Sequence, residues 1–311
     1  MVAPIILLAS YNGAAYLPAL LRSLSDQTYP DFTVLFQDDG SDDESPEILR
    51  RWSAQDARFR SGREQGAHLG PVGNFFSMLR QASGDAIFFC DQDDLWEKDK
   101  LQIMLDRLAS LSATLPAGTP LLLHSDASLI GPEDQPLGDS LFRLQGWDPE
   151  AVTFSRLLVQ NNVTGCLMMI NRPLADLALR YGDPSRMFMH DWFLALSAAA
   201  FGQILFLNRP LVRYRQHAGN TVGASRASLL KRGLKALRER EKAQERIQLT
   251  YRHTEDFLRQ YGEALPAAAK ETADAYLATR TMGKLSRIRQ IRRLNCLMQS
   301  PVTRLGQMLF G

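Results

Sequence analysis

The sequence predicts an α/β fold, a parallel sheet with helices packed on both faces. Two observations predict it. Short, unbroken apolar runs alternate with amphipathic segments through the first half of the chain, the order expected of strand–helix–strand units. Three of those runs also end directly in polar or acidic turns, and open parallel sheets bind ligands at the carboxyl ends of their strands.

Ile5-Ile-Leu-Leu-Ala9 reads as a strand covered on both faces, because it lacks the polar alternation of a half-exposed one. Leu17, Leu20, Leu21 and Leu24 then share one helix face. Phe32–Phe36 is the next strand and Pro46–Trp52 the next helix. Residues 71–83 read as a helix, Ala86–Cys90 as a strand, and Leu101, Met104, Leu105 and Leu108 mark another helix. Beyond residue 120 the pattern loosens. Leu121–His124 and Val163–Ile170 read as strands, Leu174–Tyr181 and Asp191–Phe201 as helices, and Gln203–Leu207 and Leu211–Tyr214 as two further strands. A cluster of Gly, Asn and Ser at 219–225 places a boundary there, giving a body of residues 1–222 and a helical region of 223–311 with breaks at Gly262–Pro266 and Gly283.

The 311 residues carry 36 basic and 34 acidic side chains. That near balance conceals a division. Residues 1–224 hold 18 basic and 26 acidic residues, and residues 225–311 hold 18 and 8, so an acidic body is joined to a basic tail. A 45% hydrophobic composition excludes a disordered or collagen-like chain. Three cysteines, Cys90, Cys166 and Cys296, have no metal-type spacing and fit a reducing compartment. MVAPIILLAS lacks the length and basic flank of a signal peptide. No apolar run reaches the roughly 18 residues of a membrane span, so no transmembrane helix and a cytoplasmic location are expected.

Chemistry concentrates after the strands. Asp91-Gln-Asp-Asp94 follows an apolar strand, and carboxylates so close repel one another unless a hard divalent cation such as Mg2+ or Mn2+ relieves them. A solvated acidic turn capping the next helix is the plainer alternative. Asp38 and Asp39 suit a turn or, for Asp39, the donor edge of a base or ribose. Tyr11 is either packed or a platform for a base. His68-Leu-Gly-Pro-Val-Gly-Asn74 opens a helix whose N-terminus suits an anion or is simply capped.

Taken in order, Ala9-Ser-Tyr-Asn-Gly13, Gln37-Asp-Asp-Gly-Ser41, His68-Leu-Gly70 with Asn74, Asp91–Asp94 with Trp96, His190-Asp-Trp192 and Tyr214-Arg-Gln-His217 resemble the family 2 inverting glycosyltransferases, most nearly bacterial rhamnosyltransferase-like members. The resemblance covers residues 4 to about 222. It implies a GT-A fold, a Rossmann-like mixed sheet flanked by helices, here with a C-terminal helical extension. It implies sugar transfer from a nucleotide donor to a glycan or lipid-linked glycan, as in O-antigen or cell-wall polysaccharide synthesis. Asp94 is the first choice as direct metal ligand, with Asp93 on the ribose or the metal's water shell and His217 reaching metal or diphosphate. Asp91 is left as structural or as a contact to the donor sugar. Ala9, Tyr11, Asn12, Asp39, His68 and Asn74 fall to the donor, as do Arg213 and Arg215, which alternation puts on one strand face. Asp191 matches the family's general base, although Asp also suits a helix N-cap there. His190, Trp192, Thr164, Gly165 and Trp96 fall to the acceptor side, and Gly219-Asn-Thr221 to a lid.

Uracil or thymine suits Asp39 and Tyr11, so the expected donor is a dTDP- or UDP-sugar, with dTDP-L-rhamnose preferred. A UDP-hexose transferase and a non-catalytic nucleotide-sugar-binding scaffold are the alternatives. A nucleotidyltransferase would want a Gly-rich basic loop after the first strand, and Tyr11-Asn-Gly-Ala14 offers none. The tail holds Lys231, Arg232, Lys235, Arg238 and Arg240, then Lys284, Arg287, Arg289, Arg292 and Arg293, with Leu285, Ile288, Ile291 and Leu294 interleaved. It reads as a solvated bundle, a homodimer surface, or a dock for an anionic inner leaflet. Too few aromatics stand there for nucleic acid.

Overall fold

In a computed structural model the described residues are 3–62, 68–217 and 235–310, with side chains described from 240 in the last segment. The boundary at 219–225, the lid at 219–221 and the side chains of Lys231, Arg232, Lys235 and Arg238 lie outside them.

The chain runs β1 (Ile5–Ser10), α1 (Leu17–Ser25), β2 (Thr33–Asp38), α2 (Ser45–Gln55), β3 (Phe59–Ser61), α3 (Gly70–Gln81), β4 (Ala86–Asp91), β5 (Leu95–Trp96) and α4 (Lys100–Ser112). Then follow β6 (Leu121–Ile130), β7 (Pro136–Gly138), α5 (Leu141–Gln145), α6 (Phe154–Leu157), β8 (Met168–Asn171), α7 (Arg172–Tyr181), α8 (His190–Phe201) and β9 (Gln203–Arg215). The tail adds α9 (Lys235–Tyr261), α10 (Ala267–Ala278), α11 (Lys284–Arg293) and α12 (Pro301–Phe310).

Among the described residues one sheet forms in the order β3-β2-β1-β4-β8-β6-β9-β5, with β7 beside β6. The first four strands are mutually parallel. β8 pairs antiparallel with both β4 and β6, and β9 runs parallel to β6. The sheet is therefore mixed beyond β4, where the sequence pattern had already loosened. β1 shows why its run is apolar throughout. Ile5 and Leu7 enter one core cluster and Ile6 and Leu8 the other, on opposite faces of the sheet.

Three expectations are corrected in detail. Val163–Ile170 is not one strand, since Gly165–Leu167 forms a 3-10 turn before β8. The two strand-like runs near 203–214 are one strand, β9, which passes register shifts opposite Ser125–Ala127. The 3-residue stripe on α11 is buried only at Ile291, and Leu285 is 83% exposed.

The tail does not stand apart. Ile247, Tyr251, Phe257 and Tyr261 of α9 share a core with α3 and α8. Tyr261 Oη and Ser197 Oγ lie 2.6 Å apart. Gln299 Oε1 accepts the Asp148 N–H at 2.6 Å. The breaks expected at Gly262–Pro266 and Gly283 separate α9, α10 and α11.

Candidate active site

A cavity of about 610 Å3 opens at the carboxyl ends of β1, β2 and β4. Its wall contains Ala9, Tyr11, Asp39, His68, Asn74, Asp93, Thr164, Gly165, His190, Asp191, Trp192 and His217 of the expected residues, and also Asp91. Asn12, Asp94, Trp96, Arg213 and Arg215 are not on it.

At one end two turns are stitched together. Asn12, held at a φ of 51°, donates its N–H to Ser41 Oγ at 2.8 Å and accepts the Asp42 N–H at 2.9 Å. Asn12 thus shapes the turn instead of facing a ligand. The Gln92 amide grips both backbone groups of Tyr11, donating to its carbonyl at 2.7 Å and accepting its N–H. The Tyr11 ring is left 43% exposed, with the His68 ring 4.8 Å from it. Asp39 is buried and accepts the N–H groups of Leu69 and Gly70 at 2.6 and 2.9 Å. The N-terminus of α3 is therefore already occupied by a carboxylate, which removes it as a phosphate cradle. Asp39 keeps lone pairs for a further donor. Asn74 is buried, donates to the Gln37 carbonyl at 3.2 Å and leaves its Oδ1 without a partner among the described residues.

The acidic turn divides its carboxylates. Burial, then the charges of Asp93 and Asp191, push the Asp91 carboxyl up to about 7. Asp93 faces the cavity, its Oδ2 2.8 Å from His217 Nε2. Asp94 is fully buried, and its Oδ1 accepts the Arg215 N–H at 2.9 Å. Its Oδ2 accepts no N–H or O–H among the described residues. Ligand atoms of Asp91, Asp94 and Cys166 lie within 4.8 Å of one another. Burial pushes the Cys166 thiol up, so it stays a thiol, a poor partner for a hard cation. A crowded acidic cluster with an orphaned carboxylate oxygen fits a divalent cation. Asp94 contributes to this cluster from its buried side, while Asp91, Asp93 and His217 are the members that face the cavity.

Arg215 does not reach toward a diphosphate. It is buried, donates to the carbonyls of Asp93, Gly131 and Pro132, and pairs with Asp134. It ties the acidic turn to the 131–134 loop. Arg213 is exposed and pairs with Glu97 at 3.4 Å. Trp96 is a core residue, packed 5.9 Å from Phe88, with the Lys100 ammonium 3.5 Å from its ring centroid.

At the other end Asp191 stands in the first turn of α8. Its Oδ1 accepts the Trp192 N–H at 2.6 Å. A helix N-terminus favours the anion, yet burial dominates and raises the carboxyl to about 7. His190 lies 4.3 Å from the Phe75 ring and 5.5 Å from that of Phe89, and burial lowers it to about 3, so it is neutral. A Cβ on Gly165 would come within 2.8 Å of His190 Nε2, which explains a glycine there. Trp192 donates Nε1–H to the Leu157 carbonyl at 2.6 Å and lies 4.4 Å from the His253 ring of α9.

Five further residues escape the sequence reading. Gln92 holds Tyr11, and Tyr16 stacks on His217 at 5.0 Å. Lys100 is fully buried, donates to the Cys166 carbonyl at 2.8 Å and is lowered to about 8 by burial. It is visible in the sequence only as a lysine on an apolar helix face. Arg246 of α9, with Leu249, reaches the cavity wall, and no local signal marks it, since its placement depends on where α9 docks.

Comparison with known proteins bears on the family and the fold. The glycosyl transferase family 2 pattern matches residues 5–175. The chain is 27% identical over 235 residues to the putative glycosyltransferase EpsH of Bacillus subtilis (strain 168), covering 74% of this chain but only 65% of EpsH. It is 26% identical over 234 residues to the dTDP-rhamnosyl transferase RfbG of Shigella flexneri, covering 70% and 74% of the two chains. S. aureus TarS 1-349, solved in complex with UDP-GlcNAc, superposes with a TM-score of 0.56 at 18% identity, over 98% of this chain and 88% of that one. Its likeness supports the GT-A fold. The chain belongs to glycosyl transferase family 2.

Proposed function

As a family 2 glycosyltransferase, this protein, we propose, moves L-rhamnose from dTDP-L-rhamnose to a hydroxyl of a growing cell-surface polysaccharide or lipid-linked oligosaccharide, with inversion and with the aid of Mg2+ or Mn2+. The observation that carries the chemistry is Asp191, raised to about 7 and facing the same cavity as Asp91 and Asp93. A base titrating near neutrality is suited to accept a proton in a transition state. The acceptor oxygen bonds to the anomeric carbon as its proton passes to the Asp191 carboxylate. The bond from that carbon to the diphosphate oxygen breaks on the opposite face, and its electron pair leaves with the diphosphate. Asp94 and Asp91, with Asp93 and His217 at the cavity edge, would hold the cation. Bound there, it supplies positive charge to the leaving diphosphate. His190, neutral and packed, orients the start of α8.

Tyr11 and His68 supply the platform for the base, and Asp39 the remaining acceptor capacity beside it. The thymidine and rhamnose assignments draw support from the likeness to RfbG. Among the described residues no helix is long and apolar enough to cross a membrane. We place the enzyme on the cytoplasmic face of one, held by the tail. Val302, Leu305 and Leu309 of α12 are 76%, 57% and 44% exposed, at i, i+3 and i+7 on one face, and α11 adds Lys284, Arg287, Arg289, Arg292 and Arg293.

Thermal shift with Mn2+ across nucleotide sugars, followed by donor turnover with and without EDTA, tests the reading. The expected result is a selective rise with dTDP-rhamnose and EDTA-sensitive turnover. Preference for a UDP-hexose replaces the donor, and absence of turnover with every donor favours a binding scaffold.

A further inference from the structure

The basic tail contributes Arg246 to the cavity wall. Asp39, Asp91, Asp93 and Asp191 make the wall acidic, and among the described residues Arg246 is the single arginine or lysine on it. Arg246 is exposed, and among the described residues no carboxylate pairs with it. Leu249 stands beside it on the wall, and His253, which packs on Trp192, shares its helix face at i+7. Seven residues of helix rise about 10 Å, so Arg246 lies roughly that far along α9 from the Trp192 contact next to Asp191. That separation spans about one to two sugar units. The neighbouring turn of α9 carries α12: Gly306 approaches Ala243, and Arg240 lies over the Phe310 ring. The exposed apolar face of α12 thus belongs to the same end of the molecule.

We propose that Arg246 forms an anion subsite for the acceptor, binding an acidic group one or two sugar units from the hydroxyl that reacts. The group is a phosphate or diphosphate on a lipid-linked acceptor, or the carboxylate of an acidic sugar. Both match a guanidinium, which binds either oxyanion through paired N–H donors. The inference rests on the glycosyltransferase reading above, because it takes Asp191 as the point where the acceptor hydroxyl sits.

Calorimetry in EDTA, which removes the cation's competing attraction for anions, tests it with three probes: farnesyl-diphosphate-linked GlcNAc, a glucuronic-acid-containing disaccharide, and a neutral GlcNAc disaccharide. One anionic probe is expected to bind at least about tenfold more tightly than the neutral one, the effect of one charge-assisted contact. Arg246→Ala removes that advantage and Arg246→Lys keeps part of it. Which anionic probe wins distinguishes phosphate from carboxylate. Equal binding of all three probes, no binding of either anionic probe, or an advantage that survives Arg246→Ala overturns the proposal. Separately, dTDP and UDP binding to the unaltered protein with Mn2+ reports on the underlying reading, so its failure is read independently.

Discussion

His217 Nε2 lies 2.8 Å from Asp93 Oδ2, across 124 residues of chain. The end of β9 thereby closes over the turn that follows β4. Tyr16 stacks on the same histidine, and Arg215 holds the turn from behind. The pair forms the cavity-facing edge of the acidic cluster.

Asp93→Asn is expected to raise the Mn2+ concentration for half-maximal donor turnover at least about tenfold, the range seen when metal sites lose a partner. A titration of turnover against Mn2+ measures it. An unchanged half-maximum would remove Asp93 from the metal site.

Asp191→Asn is expected to lower sugar transfer by about 10^2–10^4-fold, the contribution of a positioned base, with nucleotide binding retained. In the unaltered enzyme kcat/KM should rise with pH through about 7 and level off above it, since burial raises this carboxyl to about 7 and only its deprotonated form accepts a proton. The limb attributable to Asp191 disappears in the variant. Near-normal turnover of Asp191→Asn would defeat the assignment.

Gly165→Ala places a Cβ 2.8 Å from His190 Nε2. The ring is wedged between Phe75 and Phe89 and has little room to yield. A loss of about 1–3 kcal/mol is expected from overpacking, read by urea denaturation, together with reduced transfer as α8 shifts Asp191.

His124 sits among Phe142 and Phe206, and burial lowers it to about 3. Its unfolded form titrates at about 6.5, so below that pH the unfolded chain binds the extra proton and stability falls. His124→Phe should therefore gain on the unaltered protein as pH drops, by about 2 kcal/mol between pH 7 and pH 5. Parallel denaturation curves at the two pH values would exclude it.

Leu305→Glu with Leu309→Glu is expected to weaken cosedimentation with phosphatidylglycerol vesicles by at least about tenfold, since each exposed leucine contributes about 1.5–3 kcal/mol when buried. Added salt should weaken the unaltered protein's binding as well. Self-association lost in the variant, with vesicle binding unchanged, would make this face a dimer surface.

Local pattern and final structure agree where the cause is local. β1, α1, β4 and α8 follow from apolar runs and helical spacing, because burial on both sheet faces or on one helix stripe leaves its period in the sequence. Asp91–Asp94 and His190–Trp192 were legible as chemistry because like charges or a helix-start carboxylate demand an explanation wherever they sit. Arg213, Arg215 and Trp96 were not assigned correctly. Their types suit phosphate or sugar, but in the fold their partners are Glu97, Asp134 and Lys100. Asp39 shows a subtler limit, since a turn residue on the cavity wall also caps α3.

The sequence by itself determined the alternation of strands and helices, the acidic turn, the base candidate and the division of charge between body and tail. Only the tertiary structure decided which carboxylates face the cavity, that Arg215 is a brace, and that α9 brings Arg246 to the wall. The physical reason is range. Hydrophobic periodicity and charge crowding act between residues a few positions apart, whereas the direction of a side chain relative to a site is set by strand bends and helix docking that unite residues more than a hundred positions apart.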